Sequence, residues 1–434
     1  MSHATEIKNN NSRQKVSAES IRKICLEEGA DDAGFVDIER PSLAGEKKDI
    51  LHVYSKARTV LSIISVMNRE AIQSPARYAA NVEFHHTIDD LTDTARRILR
   101  RLNGMGIRGV VPAVGFPMNM DNWGKKRMWD ISHKTMAVEA GLGKMGINRN
   151  VIHPRFGNFI LLESIVIDAE VDGYGRPIDY NPCVNCNLCV AACPVGAVQS
   201  DGQFDFTACL NHNYREFMGG FQDWVEGVAE SKSAADYRSK FRDSETVSMW
   251  QSLSFGANYK AAYCMAVCPA GEDVISSFVN NKKQYVSEIV KPLTEKPEPV
   301  YVREGTRAEK IARKFPQKEI RHIKTSLRPG NISYFLFGVP LVFNPEKAKG
   351  LSLKINFEFT GQENRKAAII INHGKVKVED GAVPDADLRV VADSETWLRI
   401  VNKEILPLWP ILTGRLKVRG NPLNLLRFQN CVSV

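Results

Sequence analysis

Seven cysteines between residues 183 and 268 carry the chemistry that this sequence most clearly allows. The first four form a run that ends in proline, Cys183-x2-Cys186-x2-Cys189-x3-Cys193-Pro194. At this spacing three thiolates wrap one iron–sulfur cluster, while the fourth reaches across to a second cluster. A structural zinc site uses pairs of cysteines instead. The run therefore predicts cubane-type clusters that transfer electrons.

The remaining cysteines of this segment predict a second cluster that is one thiolate short. Cys268 stands just before Pro269 and is expected to close the first cluster, which leaves Cys193, Cys209 and Cys264 for the second. The usual fourth thiolate would lie three residues before Cys264, where this chain has Ala261. Three alternatives stay open: a three-iron cluster, a non-cysteine ligand such as His212, or an open iron that binds an exogenous ligand.

The elements that must position these cysteines belong to a chain of several domains. The chain has 434 residues, 43% hydrophobic and 25% charged, which is too long for one ordinary core and predicts two or three domains. Neither a leader nor an apolar run of roughly 18 residues is apparent, so we expect a cytoplasmic protein. Cys25 and Cys431 have apolar neighbours and are expected to be buried thiols.

Sequence patterns divide the chain into four segments. From residue 17 to about 176, helical segments alternate with β-rich runs, which predicts an α/β domain with a helix-covered sheet. The predicted domains are residues 1–180 (α/β), 181–290 (iron–sulfur), 291–330 (basic linker) and 331–434 (α+β). The predicted helices of the first domain are 20–28 and 88–102, and its strands are 59–66, 109–114 and 159–167.

The region after the cysteines changes in composition. Residues 301–328 contain nine Lys or Arg against three Glu, and their apolar residues fall at helical spacing. Such a helix could lie on an anionic membrane surface, dock an acidic electron donor, or be a solvated linker packed on a neighbouring domain. The last hundred residues predict an α+β domain with strands 351–359, 367–371, 375–379 and 387–392 and a helix over 395–401.

Motifs around the cysteine run resemble those of the cobalamin-dependent epoxyqueuosine reductases and reductive dehalogenases, over roughly residues 17 to 290. They are Ala140-Gly141-Leu142-Gly143 with Gly146 and Asn148, Pro154-Arg155-Phe156-Gly157-Asn158-Phe159, and, upstream, Arg77-Tyr78-Ala79 with Glu83-Phe84-His85. The resemblance implies a nitroreductase-like α/β domain that binds cobalamin, with a ferredoxin-like two-cluster insert. It also implies that backbone of the glycine-containing loops holds the cofactor, through Gly141, Leu142, Gly143, Gly146, Asn148, Pro154, Phe156, Gly157 and Asn158.

In such enzymes the clusters reduce cobalt to its low-valent state. The resemblance therefore implies an external donor of ferredoxin or flavodoxin type and a side chain that supplies a proton. The candidates for that proton donor are Tyr78, Asp130, His133 and Lys134, with Tyr78 first. The family's helical-repeat domain, which helps to hold transfer RNA, has no counterpart here, so transfer RNA is not expected as a partner.

The C-terminal segment Thr413-Gly414-Arg415-Leu416-Lys417-Val418-Arg419-Gly420-Asn421, with Asp393 to Trp397 and the strand Phe357 to Thr360, resembles sterol-carrier-protein type lipid-binding domains. These domains enclose an apolar tunnel. The residues that could line it here are Trp397, Leu398, Ile405, Leu406, Leu408, Trp409, Ile411 and Leu412.

Together these features predict an iron–sulfur, cobalamin-dependent reductase of a hydrophobic or lipid-like small molecule, by reductive elimination or dehalogenation. One alternative is a non-catalytic protein that transfers electrons or presents lipid. Another is an enzyme in which an open iron of the second cluster is the Lewis acid.

Overall fold

A computed structural model describes residues 15–118, 129–183, 186–323, 329–345, 347–402 and 404–432. The first 14 residues fall outside this set. They include part of the N-terminal segment in which the sequence analysis found no leader. So do residues 324–328, the end of the basic segment considered for membrane contact.

A small antiparallel sheet organises the N-terminal domain. Its strands follow the order β1-β2-β6-β3, and each neighbouring pair is antiparallel. The strands described in this domain are β1 (Asp32–Asp37), β2 (Thr59–Val66), β3 (Gly109–Val110), β4 (Lys144–Met145), β5 (Val151–Ile152) and β6 (Ile160–Ile167). The predicted strands 59–66 and 159–167 are thus present, 109–114 is shorter than expected, and β1 was not predicted.

Both faces of this sheet are covered, which explains why β2 and β6 are almost continuously apolar. Alternate residues of the same strands enter two separate cores: Phe35, Leu61 and Ile63 on one face, and Val36, Val60 and Ile64 on the other. The helices are α1 (Ala18–Glu27), α2 (Lys47–Val53), α3 (Arg69–Gln73), α4 (Arg77–Gly104) and α5 (His133–Glu139), with a 3-10 turn over Pro41–Leu43. The Ser17 hydroxyl caps α1 by accepting from the N–H of Ser20.

The cysteines lie in a helical insert with short connecting loops. Its helices are α6 (Leu188–Ala192), α7 (Phe206–Asn213), α8 (Gly219–Ala229), α9 (Ala234–Lys240), α10 (Asp243–Phe255), α11 (Tyr263–Ala266), α12 (Glu272–Asn280), α13 (Lys282–Tyr285) and α14 (Lys291–Thr294), with a π-helical turn over Val286–Val290. Within the described part of the chain, no helix is long and apolar enough to cross a bilayer.

Much of the segment expected to be a basic linker is folded. Strands β7 (Glu298–Val302) and β8 (Lys318–His322) pair in parallel, and helix α15 (Arg307–Ala312) connects them. Val300 and Val302 are buried in a core that also contacts Cys193 and Cys209. The segment expected to be a basic linker therefore contains a β-α-β unit that forms one wall of the cysteine region.

The C-terminal domain is α+β. Its sheet has the order β11-β10-β9-β12-β13, in which β9 and β12 are parallel and the other pairs are antiparallel. The strands are β9 (Ser352–Thr360), β10 (Arg365–Asn372), β11 (Lys375–Asp380), β12 (Leu388–Asp393) and β13 (Leu416–Gly420), and the helices are α16 (Ile332–Val342), α17 (Ser394–Val401), α18 (Leu408–Leu412) and α19 (Leu423–Cys431). Tyr334 of α16 packs with Leu210 of α7, which joins this domain to the cysteine region.

Candidate functional site: an iron–sulfur centre beside a polar recess

Four of the cysteines surround a cavity of about 240 Å³. Its thiols come from Cys183, Cys186, Cys189 and Cys268, which is the set that the spacing assigned to the first cluster. Thiols arranged around a cavity suit a multi-iron cluster, because each thiolate binds a different iron atom. The residues therefore fit the predicted first cluster.

Local backbone geometry turns these thiols toward the cavity. Asn187, just before α6, has a φ of 53°, and this left-handed residue allows the chain to turn sharply between Cys186 and Cys189. The backbone N–H of Ile147 donates to the Cys183 sulfur at 3.4 Å. Hydrogen bonds of this kind raise the reduction potential of a bound cluster, because they stabilise the added negative charge.

The remaining three thiols form a second group beside α7. Burial, together with the charge of Cys193, raises the pKa of Cys264 to about 12. Burial also raises the pKa of Cys209, with further contributions from Cys264 and Cys193. The three thiols are thus close enough to interact electrostatically. Since buried thiols are neutral when no metal replaces their protons, the group also suits a metal cluster rather than free thiolates.

The position of the missing thiolate is closed by packing and hydrogen bonds. Ala261 is 6% exposed. The side-chain oxygen of Asn213 accepts hydrogen bonds of 2.9 Å from the backbone N–H groups of Ala261 and Ala262. Ala262 has a φ of 52°, so the chain turns here as it does at Asn187 in the first group. The loop has the shape of a cluster-binding turn without its first sulfur.

The glycines predicted to approach a cofactor are already in close contact with protein. A Cβ added at Gly141 would lie 2.6 Å from the Arg176 carbonyl oxygen, and one at Gly157 would lie 1.9 Å from that of Ala270. Gly143 and Gly146 would likewise meet Ile152 at 2.6 Å. Packing of the chain on itself is therefore sufficient to explain these four glycines.

The other predicted cofactor residues join the α/β domain to the cysteine loops. Asn148 and Asn158 donate to the carbonyl oxygen of Cys264 at 3.1 and 3.5 Å. The Pro154 carbonyl accepts from the N–H of Glu272. The ring of Phe156 stacks on His153, and Leu142 is 4% exposed in the core. The Asn158 side-chain oxygen is buried without a partner among the described residues, so it is free to accept a hydrogen bond from a bound group.

The predicted proton donors occupy different environments. Tyr78 is 76% exposed and Asp130 is also exposed, so both can reach solvent or a substrate. His133 is buried, and its ring nitrogens contact the Ser164 hydroxyl at 2.9 Å and the Ala113 carbonyl at 3.0 Å. Burial lowers the pKa of His133, so it is neutral and holds neighbouring elements together.

Lys134 reaches solvent near the second cysteine group. Its ammonium donates to the Arg149 carbonyl at 2.7 Å and to the Asn150 side-chain oxygen at 3.1 Å. The residue is exposed to solvent, yet desolvation by the surrounding protein lowers the pKa of Lys134. The charges of Cys264 and Cys209 act in the opposite direction and raise this pKa. An exposed but desolvated ammonium marks the inside of a recess.

Sequence reasoning missed the buried carboxyl group of Glu163 on β6. The side chain is 0% exposed, and desolvation raises its pKa to about 8. One oxygen accepts from the Ser164 N–H at 3.0 Å and lies 3.8 Å from His133 Nδ1. A charged residue inside an apolar strand was the available signal, because Glu is rarely buried without a partner.

The C-terminal domain contains an apolar cavity of about 360 Å³. Of the predicted tunnel residues, Trp397, Ile405 and Leu406 line it. The prediction is wrong for the residues of α18, since Leu408, Trp409 and Leu412 are 66%, 70% and 70% exposed. Their helical spacing is real, but the five-residue helix turns them outward.

Comparison with known proteins matches two segments of the chain to domain families. The 4Fe-4S binding domain matches residues 176–199, and the SCP-2 sterol transfer family matches residues 344–433. An epoxyqueuosine reductase of Cyclobacterium marinum is 29% identical over 160 residues, which are 35% of this chain and 47% of that protein. One of Cellulophaga algicola is 24% identical over 244 residues, 49% of this chain and 74% of that protein. The predicted resemblances are thereby confirmed.

Three solved structures are also similar. Epoxyqueuosine reductase from Streptococcus thermophilus has a TM-score of 0.35 at 18% identity, covering 63% of this chain and 74% of that one. The reductive dehalogenase NpRdhA with 3-bromo-4-hydroxybenzoic acid has a TM-score of 0.38 at 14% identity, covering 68% and 35%. An epoxyqueuosine reductase with an epoxyqueuosine-modified tRNA-Tyr stem loop has a TM-score of 0.33 at 17% identity, covering 47% and 60%.

These comparisons correct the expectation about transfer RNA. The missing helical-repeat domain had argued against such a partner. The relatives, however, are epoxyqueuosine reductases, and a protein of that name binds a tRNA stem loop. The absence of one accessory domain is therefore not a sufficient reason to exclude transfer RNA.

Proposed function

We propose that this chain is an iron–sulfur reductase that passes electrons from its clusters to a bound cobalamin. The observation that carries the proposal is the ring of four cysteine thiols around one cavity, in a chain similar to epoxyqueuosine reductases. Cobalamin, when bound, would supply a low-valent cobalt able to reduce the substrate. We place it in the recess of Lys134, next to the second cysteine group.

Residues of the α/β domain can bind and orient the reacting groups. The Lys134 ammonium can pair with an anionic group of the cofactor or substrate. The Asn158 side-chain oxygen can accept a hydrogen bond from an amide. Tyr78 and Asp130 are the accessible candidates for the proton that reduction consumes, because His133 is held by two hydrogen bonds. We assign the proton to Tyr78 first.

We propose a modified nucleoside in transfer RNA, of the epoxyqueuosine type, as the first substrate to test. This assignment rests on the named relatives. The exposed position of Tyr78 supports it, because a nucleoside that projects from a large RNA must be reached at the protein surface.

The apolar cavity of the C-terminal domain favours a second candidate. Its lining by residues such as Phe335, Trp397 and Phe428 suits an acyl chain or a sterol-like molecule. In this proposal the reductase acts on a hydrophobic small molecule that the C-terminal domain binds and presents.

One experiment separates these possibilities. The protein is expressed with cobalamin, purified without oxygen, and assayed for iron, cobalt and conversion of epoxyqueuosine-containing tRNA with a chemical reductant. For the unaltered protein we expect about one cobalt per chain and formation of queuosine. For the Cys183→Ala variant we expect that electrons do not reach the cobalt and that no queuosine forms. Clusters without cobalt would refute the reductase proposal. Cobalt without queuosine would refute the RNA substrate and favour the hydrophobic one.

A further inference from the structure

The imidazole of His212 is buried with no apparent hydrogen-bond partner. The residue is 1% exposed, and among the described residues neither ring nitrogen has a partner. A buried polar group left without a partner costs about 1–3 kcal/mol, so such groups are rare and call for an explanation. The ring is neutral, because burial lowers the pKa of His212 to about 4. At least one nitrogen therefore keeps a free lone pair.

The position of His212 in α7 links it to the second cysteine group. Cys209 lies three residues earlier in the same helix, and residues at this spacing are neighbours on one helical face. The next residue, Asn213, holds the loop of Ala261 and Ala262 by two hydrogen bonds. In the sequence of α7, His212 thus stands between a thiol of the second group and the residue that holds the loop lacking a thiol.

The charged groups near His212 are already paired with one another. The Glu298 carboxylate accepts from the Tyr263 hydroxyl at 2.6 Å and from the Lys318 ammonium at 2.7 Å. The nearest aromatic ring is that of Tyr301, at 6.3 Å between centroids, and its hydroxyl donates to Glu245. These groups surround the imidazole, but none of them forms a hydrogen bond with its ring nitrogens.

We propose that a ring nitrogen of His212 is the fourth protein ligand of the second iron–sulfur cluster, beside Cys193, Cys209 and Cys264. The proposal rests on the presence of the clusters in the proposed function. Formation of the iron–nitrogen bond uses the lone pair of the neutral ring, releases no proton and changes no oxidation state. Because imidazole is neutral and a thiolate is anionic, the cluster with His212 carries one negative charge less than it would with a fourth thiolate. Its reduction potential is therefore higher.

The first test uses the unaltered protein. Protein is labelled with ¹⁵N-histidine, purified anaerobically and reduced, and nitrogen couplings to the cluster are measured by pulsed electron paramagnetic resonance. We expect a strong coupling that changes from the ¹⁴N to the ¹⁵N pattern on labelling. Couplings that do not respond to the label, or a second cluster that contains only three irons in the unaltered protein, would overturn the proposal.

The second test uses variants. In His212→Ala we expect the iron content to fall by about one atom from about eight, with a three-iron signal in the oxidised protein. Adding Ala261→Cys to this variant should restore four irons without the histidine coupling. His52→Ala, at an exposed histidine, is the control and should match the unaltered protein.

The two proposals can fail separately. If His212→Ala keeps the four-iron spectrum and the nitrogen coupling, the ligand assignment is wrong whatever the protein catalyses. If the coupling is present but cobalamin does not bind, the ligand assignment stands and the reductase proposal fails.

Discussion

The side-chain oxygen of Asn213 accepts a 2.9 Å hydrogen bond from the backbone N–H of Ala261. Through this contact the last residue of α7 fixes the loop in which a cluster-binding sulfur is missing. The same oxygen binds the next N–H, so a single side chain satisfies two backbone donors.

Asn213→Leu should destabilise the protein, because it leaves these two N–H groups without their acceptor. Each unsatisfied buried donor costs about 1–3 kcal/mol, which predicts a clear fall in the thermal midpoint of anaerobically purified protein. Asn364→Leu, at an exposed asparagine, is the matched control. Equal midpoints for the two variants would show that the contact does not contribute.

Cys268→Ala should remove the first cluster, since this thiol is one of the four that line its cavity. We expect the iron content to fall by about four atoms from about eight. Cys25→Ala is the control, because Cys25 is a buried core thiol whose pKa burial raises to about 12. A similar iron loss in both variants would point to misfolding rather than lost ligation.

The buried carboxyl of Glu163 should make stability depend on pH. Its folded pKa of about 8 exceeds the ordinary value of 4.5, so the folded state binds the extra proton and stability falls as pH rises between these values. Titration of His133 acts in the opposite direction below its ordinary pKa of 6.5, since burial lowers the histidine pKa. The effect of Glu163 is therefore clearest from pH 6.5 to 8.

Glu163→Gln should flatten this dependence and make the protein more stable than wild type at pH 9. Urea unfolding at pH 7 and pH 9 measures the difference, with Glu395→Gln as an exposed control. A pH slope that is unchanged in Glu163→Gln would contradict the assignment.

Lys134→Met should lower the reduction potential of the second cluster. The ammonium interacts with Cys264 and Cys209, and a nearby positive charge favours the reduced, more negative state. An interaction of about 1 kcal/mol corresponds to a shift of roughly 40 mV for one electron. Redox titration followed by electron paramagnetic resonance measures it. Lys144→Met, at an exposed lysine, should leave the potential unchanged.

Gly338→Phe should fill the C-terminal cavity without disturbing the fold. Gly338 lines the cavity, and a Cβ added there would meet no atom within 4 Å. We expect the binding of a fluorescent fatty acid to weaken at least tenfold. Gly104→Phe also adds a side chain in open space, but in α4, and should bind the probe normally. Undiminished binding in Gly338→Phe would place the probe elsewhere.

Patterns that depend on local spacing predicted the structure best. The cysteine run anticipated which four thiols share a cavity, and strong apolar runs located β2 and β6. By contrast, β1 begins and ends with Asp and contains Gly34, residues that usually weaken a strand. Its formation depends on pairing with β2, a contact between distant parts of the chain.

The missed features depend on such distant contacts. The β-α-β unit formed by β7, α15 and β8 is stabilised by packing against Cys193 and Cys209, about a hundred residues earlier in the chain. Whether Glu163 is buried depends on the helices that cover β6. The side of α18 that faces solvent depends on how this short helix packs on the rest of the domain. Periodicity alone therefore could not show that the apolar residues of α18 are exposed and do not line the cavity.

The contact between Leu210 and Tyr334 has an evolutionary consequence. Leu210 is next to a thiol of the second group, and Tyr334 belongs to the wall of the apolar cavity. A sterol-carrier domain transplanted from another protein would need a side chain that packs against Leu210 as Tyr334 does. The two domains are therefore expected to be inherited as a matched pair, with compensating changes at these two positions across species.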